Sequence, residues 1–276
     1  MDFYVGADTH WLARAGYPLM VSHGRLRDRV NLPRAAAPWV CDSRGFTELQ
    51  QHGRWTFTPR QYVDALRRYR DDIGQLVWAS PQDWMCEPVV IQGGTFHGET
   101  FAGTGLTVAE HQRRTVDNLL ELRALLDQPG DPHIVPALQG WEPADYLRCW
   151  EMYDAAGIDL LAEPVVGLGS TCRREATSEV KELVEAFAAR GVRLHAYGAK
   201  TRGLLMYGQL IASADSFSWS FGGRRRVGRC RHGVVKWEAN CPVRAREWRD
   251  TVLANIATAH RRPHQGSLVD MFGVAA

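Results

Sequence analysis

The feature that most constrains this chain is the alternation of short apolar runs with amphipathic helical patterns. Eight runs are apolar throughout rather than at every second residue, which is typical of strands buried on both faces of a parallel sheet. They cover residues 3–5, 17–22, 37–41, 75–80, 133–138, 158–163, 192–197 and 216–220. This pattern predicts an α/β fold, a (β/α)₈ TIM barrel formed as a single domain over residues 1–276. A doubly wound open sheet is the alternative, but it normally has fewer strands at this length.

Helical periodicity separates most of these runs. Four helices are predicted to begin at Pro59, Thr107, Pro143 and Ser178, from proline at a first turn or a capping residue ahead of an apolar stripe. Weaker helical patterns cover residues 202–212 and 243–260, and the second predicts a helical C-terminal segment.

Composition narrows the cellular setting and the kinds of partner. The chain is 45% hydrophobic with a formal net charge of +2, a balance that neither demands nor excludes nucleic acid. Its six cysteines are scattered rather than spaced as a disulfide framework, and no signal-peptide pattern or membrane-spanning run is apparent. We therefore expect a cytoplasmic protein with reduced thiols and no membrane contact.

Polar or glycine residues mark the ends of five predicted strands. They are Asp42, Asp83, Gln139, the glycines of residues 165–170, and Asp215. Because active sites of such barrels lie at the C-terminal ends of the strands, we expect these residues around one cleft. An aspartate there can also cap a turn, which is the alternative for Asp42. The recurrence in five segments favours a catalytic role.

The residues at these strand ends resemble those of the tRNA-guanine transglycosylases. "DSRGFTEL" (42–49) is similar to their Asp-Ser-Gly-Gly-Phe signature, and "SPQDWM" (80–85) to their purine-recognition segment. "ALQG" (137–140), "VVGLGS" (165–170) and "ADSFSW" (214–219) resemble their Gln-Gly element, their glycine-rich loop and the segment around their nucleophile. The motifs follow the family order over residues 3 to about 220. The pattern looks closest to the DNA-modifying branch, which inserts 7-deazaguanine derivatives into DNA in bacteria and phages.

Two departures from the tRNA enzymes stand out. The signature has two glycines where this chain has Arg44 and Gly45, so Arg44 replaces one of them and changes the backbone freedom beside Asp42. The compact Cys-x-Cys-x-x-Cys zinc pattern of those enzymes is absent, which favours DNA over tRNA as the partner. A phage-encoded member would act in the host cytoplasm.

The resemblance implies a role for each residue of the cleft. Asp215 would be the nucleophile that forms a covalent glycosyl-aspartate, and Asp42 the general acid and base. Asp83 would accept hydrogen bonds from the purine N1–H and amine. Gln139 and backbone amides near Gly167 and Gly169 would bind the carbonyl side. Ser43 and Phe46 would contact the base, Phe46 by stacking, although an aromatic residue there can equally be core.

A basic segment adjoins the proposed nucleophile. Residues 221–232 contain the arginines Arg224, Arg225, Arg226, Arg229 and Arg231 without an acidic residue between them, which predicts phosphate contacts with DNA. A solvated charged surface is the alternative. Lys200 and Arg202 form a second candidate phosphate site. A base inside a duplex would have to be flipped out or taken from a single strand, and a helicase-like accessory protein is a candidate partner for opening the duplex.

Cysteine and histidine residues in the same C-terminal subregion (221–264) are compatible with a metal. Cys230, His232 and Cys241 have the ligand types of structural zinc, with His264 as the expected fourth ligand and His260 or Glu238 as alternatives. The alternative interpretation is that no metal binds, and that these residues are two buried thiols and a surface histidine. Any Zn²⁺ would be structural, and no organic cofactor is expected.

The resulting hypothesis is a pentosyltransferase that replaces guanine in DNA with a 7-deazaguanine derivative such as 7-cyano-7-deazaguanine. Three alternatives remain: a tRNA-guanine transglycosylase-like enzyme, an N-glycosidase that hydrolyses guanine nucleosides or nucleotides, and an inactive barrel that binds nucleic acid. The presence of Asp42, Asp83 and Asp215 together argues against the last.

Overall fold

The computed structural model describes residues 1–96, 98–225 and 229–259. Within these ranges the strands are β1 (Asp2–Ala7), β2 (Leu19–Ser22), β3 (Trp39–Asp42), β4 (Leu76–Ala79), β5 (Gly94–Phe96), β6 (Glu99–Phe101), β7 (Ala137–Leu138), β8 (Val166–Leu168), β9 (Leu194–Ala196) and β10 (Ser213–Ser216). The helices are α1 (His23–Leu26), α2 (Gly45–His52), α3 (Pro59–Asp72), α4 (Pro88–Gln92), α5 (Val108–Leu125), α6 (Pro143–Ala155), α7 (Ser178–Ala189), α8 (Thr201–Tyr207), α9 (Ser218–Arg224) and α10 (Pro242–Ala259).

Eight strands form one parallel sheet in the order β4-β3-β2-β1-β10-β9-β8-β7. The sheet curls until its two edges meet, where Ala79 of β4 forms an isolated parallel bridge with Ile134 ahead of β7. The Ala79 amide donates to the carbonyl of His133 at 2.9 Å, and the Val135 amide donates to the carbonyl of Ala79 at 3.1 Å. This curled α/β architecture is consistent with the expected TIM-like fold. Strands β5 and β6 pair separately as an antiparallel hairpin.

The strands are apolar throughout because both of their faces are buried. One face packs against the helices through fully buried aromatic side chains such as Trp39, Tyr62 and Tyr69. The opposite face forms a smaller cluster within the curled sheet, made of Tyr4, Met20, Val40, Trp78, Val135 and Val165. Alternate residues of one strand therefore enter different cores, which accounts for the continuous apolar runs.

Two predicted strands are wrong. Residues 158–163 lie outside the sheet, with Leu161 exposed, and the strand lies instead at β8, inside the glycine-containing stretch predicted to be a loop. Gly167 fits β8 because a β-carbon there would lie only 2.4 Å from the Tyr197 ring. Residues 216–220 were expected to form the last strand. That strand is β10, and the chain is already helical from Ser218.

The four clearest helices are confirmed as α3, α5, α6 and α7. Thr58 caps α3 in a reciprocal capping box with Gln61, and Thr107 caps α5 by accepting the Glu110 amide at 3.1 Å. The cap of α7 is Thr177 rather than Ser178, because the Thr177 hydroxyl accepts the Val180 amide at 3.3 Å. Among the described residues, none of the helices combines the length and apolar character needed to cross a membrane.

Candidate active site

A cavity of about 390 Å³ opens at the C-terminal ends of the parallel strands. Asp42 is the last residue of β3, Asp83 follows β4, and Asp215 is the next-to-last residue of β10. All three carboxylates line the cavity, together with Phe46 and Gly169. Parallel strands end at the same edge, which is why residues so distant in sequence meet here.

Asp42 is only partly exposed and keeps few polar partners. The Arg44 amide donates to its Oδ2 at 3.2 Å. Burial, reinforced by the negative charge of Asp215, raises the pKa of Asp42 to about 6, against the opposing hydrogen bond from Ser22. A carboxyl group with this pKa can both give and take a proton near neutral pH.

Arg44 has the backbone conformation that its position requires. With φ of 77° and ψ of 18° it lies in the left-handed region, which glycine adopts without strain. Its side chain packs over Gly24, where a β-carbon would lie 2.5 Å from Arg44 Cδ, and its Nε is 3.6 Å from Oε1 of buried Glu48. These contacts offset the backbone strain and direct the Arg44 amide at Asp42.

Asp83 is the first member of a hydrogen-bonded chain that crosses the cavity wall. Fully buried Gln139 donates from Nε2 to Asp83 Oδ2, and the Ser170 hydroxyl donates to Gln139 Oε1 at 2.6 Å. The Cys86 amide in turn donates to the Ser170 hydroxyl oxygen at 2.7 Å. Burial, and next the charge of Asp42, raise the pKa of Asp83 to about 7.

Glycine at position 169 makes room for this chain. A β-carbon on Gly169 would lie 2.1 Å from Gln139 Nε2. Backbone amides near Gly167 and Gly169 are expected to bind a purine carbonyl. The amides of these two glycines already donate to the carbonyls of Pro136 and Leu138 at 2.8 and 3.0 Å, so the expectation stays open only for neighbouring amides of the same segment.

Asp215 is held from the neighbouring strand. The Gly198 amide, just past β9, donates to its Oδ1 at 2.8 Å. Nε2 of fully buried His195 lies 3.4 Å from the same oxygen, without hydrogen-bond geometry, while His195 Nδ1 is 2.8 Å from the Ser213 hydroxyl. These contacts fix the carboxylate against the cavity with little freedom to turn.

An aromatic wall completes the cavity, with a charged pair at its edge of which only Glu87 lines the cavity, and sequence reasoning missed part of this wall. The Arg173 guanidinium lies 4.6 Å from the centroid of Phe46 and 3.4 Å from Oε1 of Glu87. Glu87 lines the cavity, and burial raises the pKa of its carboxyl group, with Arg173 opposing the shift. Tyr197, whose hydroxyl donates to Ser80 at 3.1 Å, also lines it. The ion pair of Arg173 with Glu87 gave no local sequence signal, because these two residues are 86 positions apart in the sequence.

Three predicted contact residues, Ser43, Gly167 and Gln139, do not line the cavity. Ser43 is buried behind it, and its hydroxyl makes no hydrogen bond within the described residues. Gly167 faces the Tyr197 ring. Gln139 is fully buried in the wall and reaches the cavity only through its hydrogen bond to Asp83.

Most of the basic residues lie exposed near the same end of the sheet. Arg224 ends α9, which begins two residues after β10, and Arg225 and Arg229 follow it. Lys200 precedes α8 with its Nζ 3.6 Å from Glu175, and Arg202 is exposed. Arg226 lies outside the described residues.

Cys230, His232 and Cys241 come together as the sequence suggested. Their donor atoms lie within 4.8 Å of one another, so the group could hold a metal ion. His232 Nδ1 is 3.3 Å from Cys241 Sγ, and its Nε2 is 3.2 Å from Glu247 Oε1, a carboxylate placed to orient the ring. Glu238 is instead paired with Arg244 at 2.9 Å, and His260 and His264 lie outside the described residues.

Comparison with known proteins gives one match that covers nearly the whole chain. A family model described as "DpdA: DeoxyPurine in DNA protein A" matches residues 1–271. No curated protein matches the sequence. Two solved structures of a "putative isomerase" from Sinorhizobium meliloti, one in an open loop conformation, share 11% and 12% identity at a TM-score of 0.38. Each alignment covers 78% of this chain, which spans half the length of those proteins.

Proposed function

The chain belongs to the DpdA family, the DNA 7-deazaguanine branch of the transglycosylases, and on this basis we propose that it replaces guanine in DNA with a 7-deazaguanine base. The observation that carries the proposal is the meeting of Asp42, Asp83 and Asp215 in one cavity. Base exchange needs three different functions, and three carboxylates in distinct surroundings can divide them.

Asp215 is the proposed nucleophile. Its carboxylate attacks C1′ of the target nucleotide, the bond from C1′ to the purine nitrogen breaks, and the electron pair leaves with guanine. The Gly198 hydrogen bond and the His195 contact keep the carboxylate aimed into the cavity. The product is a covalent glycosyl-aspartate. A ring nitrogen of the incoming base then attacks C1′, the bond from C1′ to the Asp215 oxygen breaks, and the carboxylate is regenerated.

Asp42 is the proposed proton carrier. It protonates the departing guanine and then removes the proton from the ring nitrogen of the incoming 7-deazapurine. The pKa of about 6 supports both halves of this cycle, since neither protonation state is rare near neutral pH.

Asp83 and Gln139 are the proposed readers of the purine edge, with Phe46 stacking on the ring. Asp83 accepts from the N1–H and the exocyclic amine. The Ser170 amide makes no hydrogen bond within the described residues, so it replaces the Gly167 and Gly169 amides as the donor to the purine carbonyl. A base with a C7 substituent such as the nitrile of 7-cyano-7-deazaguanine is the proposed incoming substrate.

We also propose a structural zinc ion bound by Cys230, His232 and Cys241, with His264 as the fourth ligand. The donor set suits zinc, and Glu247 gives the histidine the second partner usual for a metal-bound imidazole. Such an ion would hold residues 229–241 against α10 and take no part in base exchange.

The deciding experiment follows labelled guanine in DNA and, separately, in tRNA. Release of label from DNA that requires added 7-cyano-7-deazaguanine supports exchange. Release without an added base indicates hydrolysis, and release from tRNA alone would overturn the DNA assignment. Asp215→Asn should release no label and form no band that survives denaturation, because an amide is a poor nucleophile. Asp42→Asn should slow exchange by about 10²–10⁴-fold.

A further inference from the structure

A second cavity, of about 520 Å³, adjoins the first at the same end of the sheet. Phe217, which follows β10, lines both cavities and forms the wall between them. Asp8 and Trp11, which follow β1, contribute the opposite side, and Lys236 and Trp237 the outer rim. A strand of nucleic acid with one residue in the first cavity would therefore have to pass this opening or turn away from it.

Aromatic rings form much of the second cavity, and they differ in exposure. Trp11 and Trp219 are buried with their ring centroids 4.8 Å apart, and the Trp219 indole donates to the Gly6 carbonyl at 3.0 Å. These two form a fixed floor. Phe217 and Trp237, by contrast, are 37% and 50% exposed, so both offer an open ring face.

Two of the cations that line this cavity are not neutralised by carboxylates, whereas a third, Arg25, is paired with Asp8. Arg224 and Lys236 line it, and neither forms an ion pair with a carboxylate in the described part of the chain. Lys236 Nζ lies over one face of the Trp237 ring, 5.0 Å from its centroid, so a base would stack on the other face. Asp8 is the one acidic side chain lining the cavity among the described residues, and it is already engaged by Arg25 and Arg29 at 3.5 and 3.7 Å.

We propose that this second cavity binds the nucleotide next to the target guanine in unpaired DNA, with its base stacked on Trp237 and Phe217 and its phosphate at Arg224 and Lys236. The inference rests on the proposed function and extends it to the flanking residue. Exposed rings beside unpaired cations are the combination that holds single-stranded nucleic acid with little sequence preference. Among the described residues Asn240 also lines the cavity and carries a side-chain amide, but the ring faces of Trp237 and Phe217 should supply most of the affinity, so stacking should dominate over base identity.

The test uses single-stranded oligonucleotides with one guanine, in which the nucleotide on its 5′ or 3′ side is either normal or abasic. On one side, loss of the base should weaken binding to the wild-type protein by roughly 5- to 150-fold, the range typical of one aromatic stack. Trp237→Ala should weaken binding of the normal strand by a similar factor and remove the sensitivity to the abasic site. Trp237→Phe should restore it.

Val234→Ala is the control. Val234 is exposed and lies three residues before Trp237 but does not line the cavity, so the abasic effect should persist in that variant. Binding of free 7-cyano-7-deazaguanine should not change in Trp237→Ala, which also reports that the variant is folded.

The outcomes separate the two proposals. Equal abasic effects in wild-type protein and Trp237→Ala, or no effect on either side of guanine, would overturn the flanking site while leaving base exchange intact. Wild-type protein that binds neither guanine-containing DNA nor the free base would overturn the proposed function itself.

Discussion

Replacing Asp83 with asparagine should stabilise the protein at alkaline pH and weaken its recognition of the purine edge. Burial and the nearby charge of Asp42 raise the pKa of Asp83 to about 7, from the ordinary aspartate value of 3.8. The folded state therefore holds this proton more tightly than the unfolded state. The stabilisation from this bound proton is complete below the pKa of Asp83 in the unfolded state. It is lost as the pH rises through the pKa of Asp83 in the folded state.

The size of the effect follows from the same values. One pKa step corresponds to about 1.36 kcal/mol, so the cost of keeping Asp83 buried grows by about 2–3 kcal/mol between pH 5 and pH 8. The asparagine amide does not titrate and can still accept from Gln139. The free energy of unfolding of Asp83→Asn, relative to wild type, should therefore rise by that amount over this range.

Urea denaturation at several pH values measures this difference directly. Asp28→Asn is the control, because the Asp28 side chain is 82% exposed and the same change there should give little pH dependence. A difference for Asp83→Asn that stays constant with pH, or that shifts toward wild type as pH rises, would refute the reasoning. At pH 8 the variant should also bind guanine about 10- to 100-fold more weakly, from loss of a charged acceptor.

Four further substitutions test the site, the metal and the DNA contact. Gly169→Ala places a methyl group where Gln139 Nε2 now lies, 2.1 Å from the new β-carbon, so KM for the incoming base should rise and an unchanged KM would contradict the packing. Elemental analysis should find about one zinc per chain, lost with a lower Tm in Cys241→Ser; metal-free protein of unchanged stability would remove the zinc proposal. Arg224→Ala and Arg225→Ala should each lower the slope of log affinity against log salt by about 0.7–0.9, and an unchanged slope would place both arginines away from phosphate.

The placement of the three carboxylates in one cavity could be anticipated because it follows from topology. Asp42 and Asp83 stand at the ends of continuous apolar runs, and parallel strands bring such ends together. The strand predictions were wrong where an apolar run does not lie in the sheet, or where a strand of the sheet is not a continuous apolar run. Residues 158–163 are apolar yet lie outside the sheet, while β8 includes Gly167 because a neighbouring tyrosine ring takes the space of a side chain.

Other features of the site depend on tertiary contacts that no local pattern reveals. The pairing of Glu87 with Arg173 joins two loops far apart in sequence. The use of the Gly167 and Gly169 amides by the backbone depends on strand register, which the motif alone does not define. Arg44 in the left-handed region likewise depends on its packing over Gly24.

The seam of the curled sheet has a consequence for how substrate acts on the protein. The two edges meet through the backbone of Ala79, and just beyond them the side chains of Asp83 and Gln139 are hydrogen-bonded to each other. A purine that engages both side chains spans the seam and ties β4 to β7. Amide hydrogen exchange at Ala79 and Val135 should therefore slow when base is bound, because a ligand that prefers the closed seam lowers the population of openings. Bound substrate would therefore stabilise the closed form of the sheet that surrounds it.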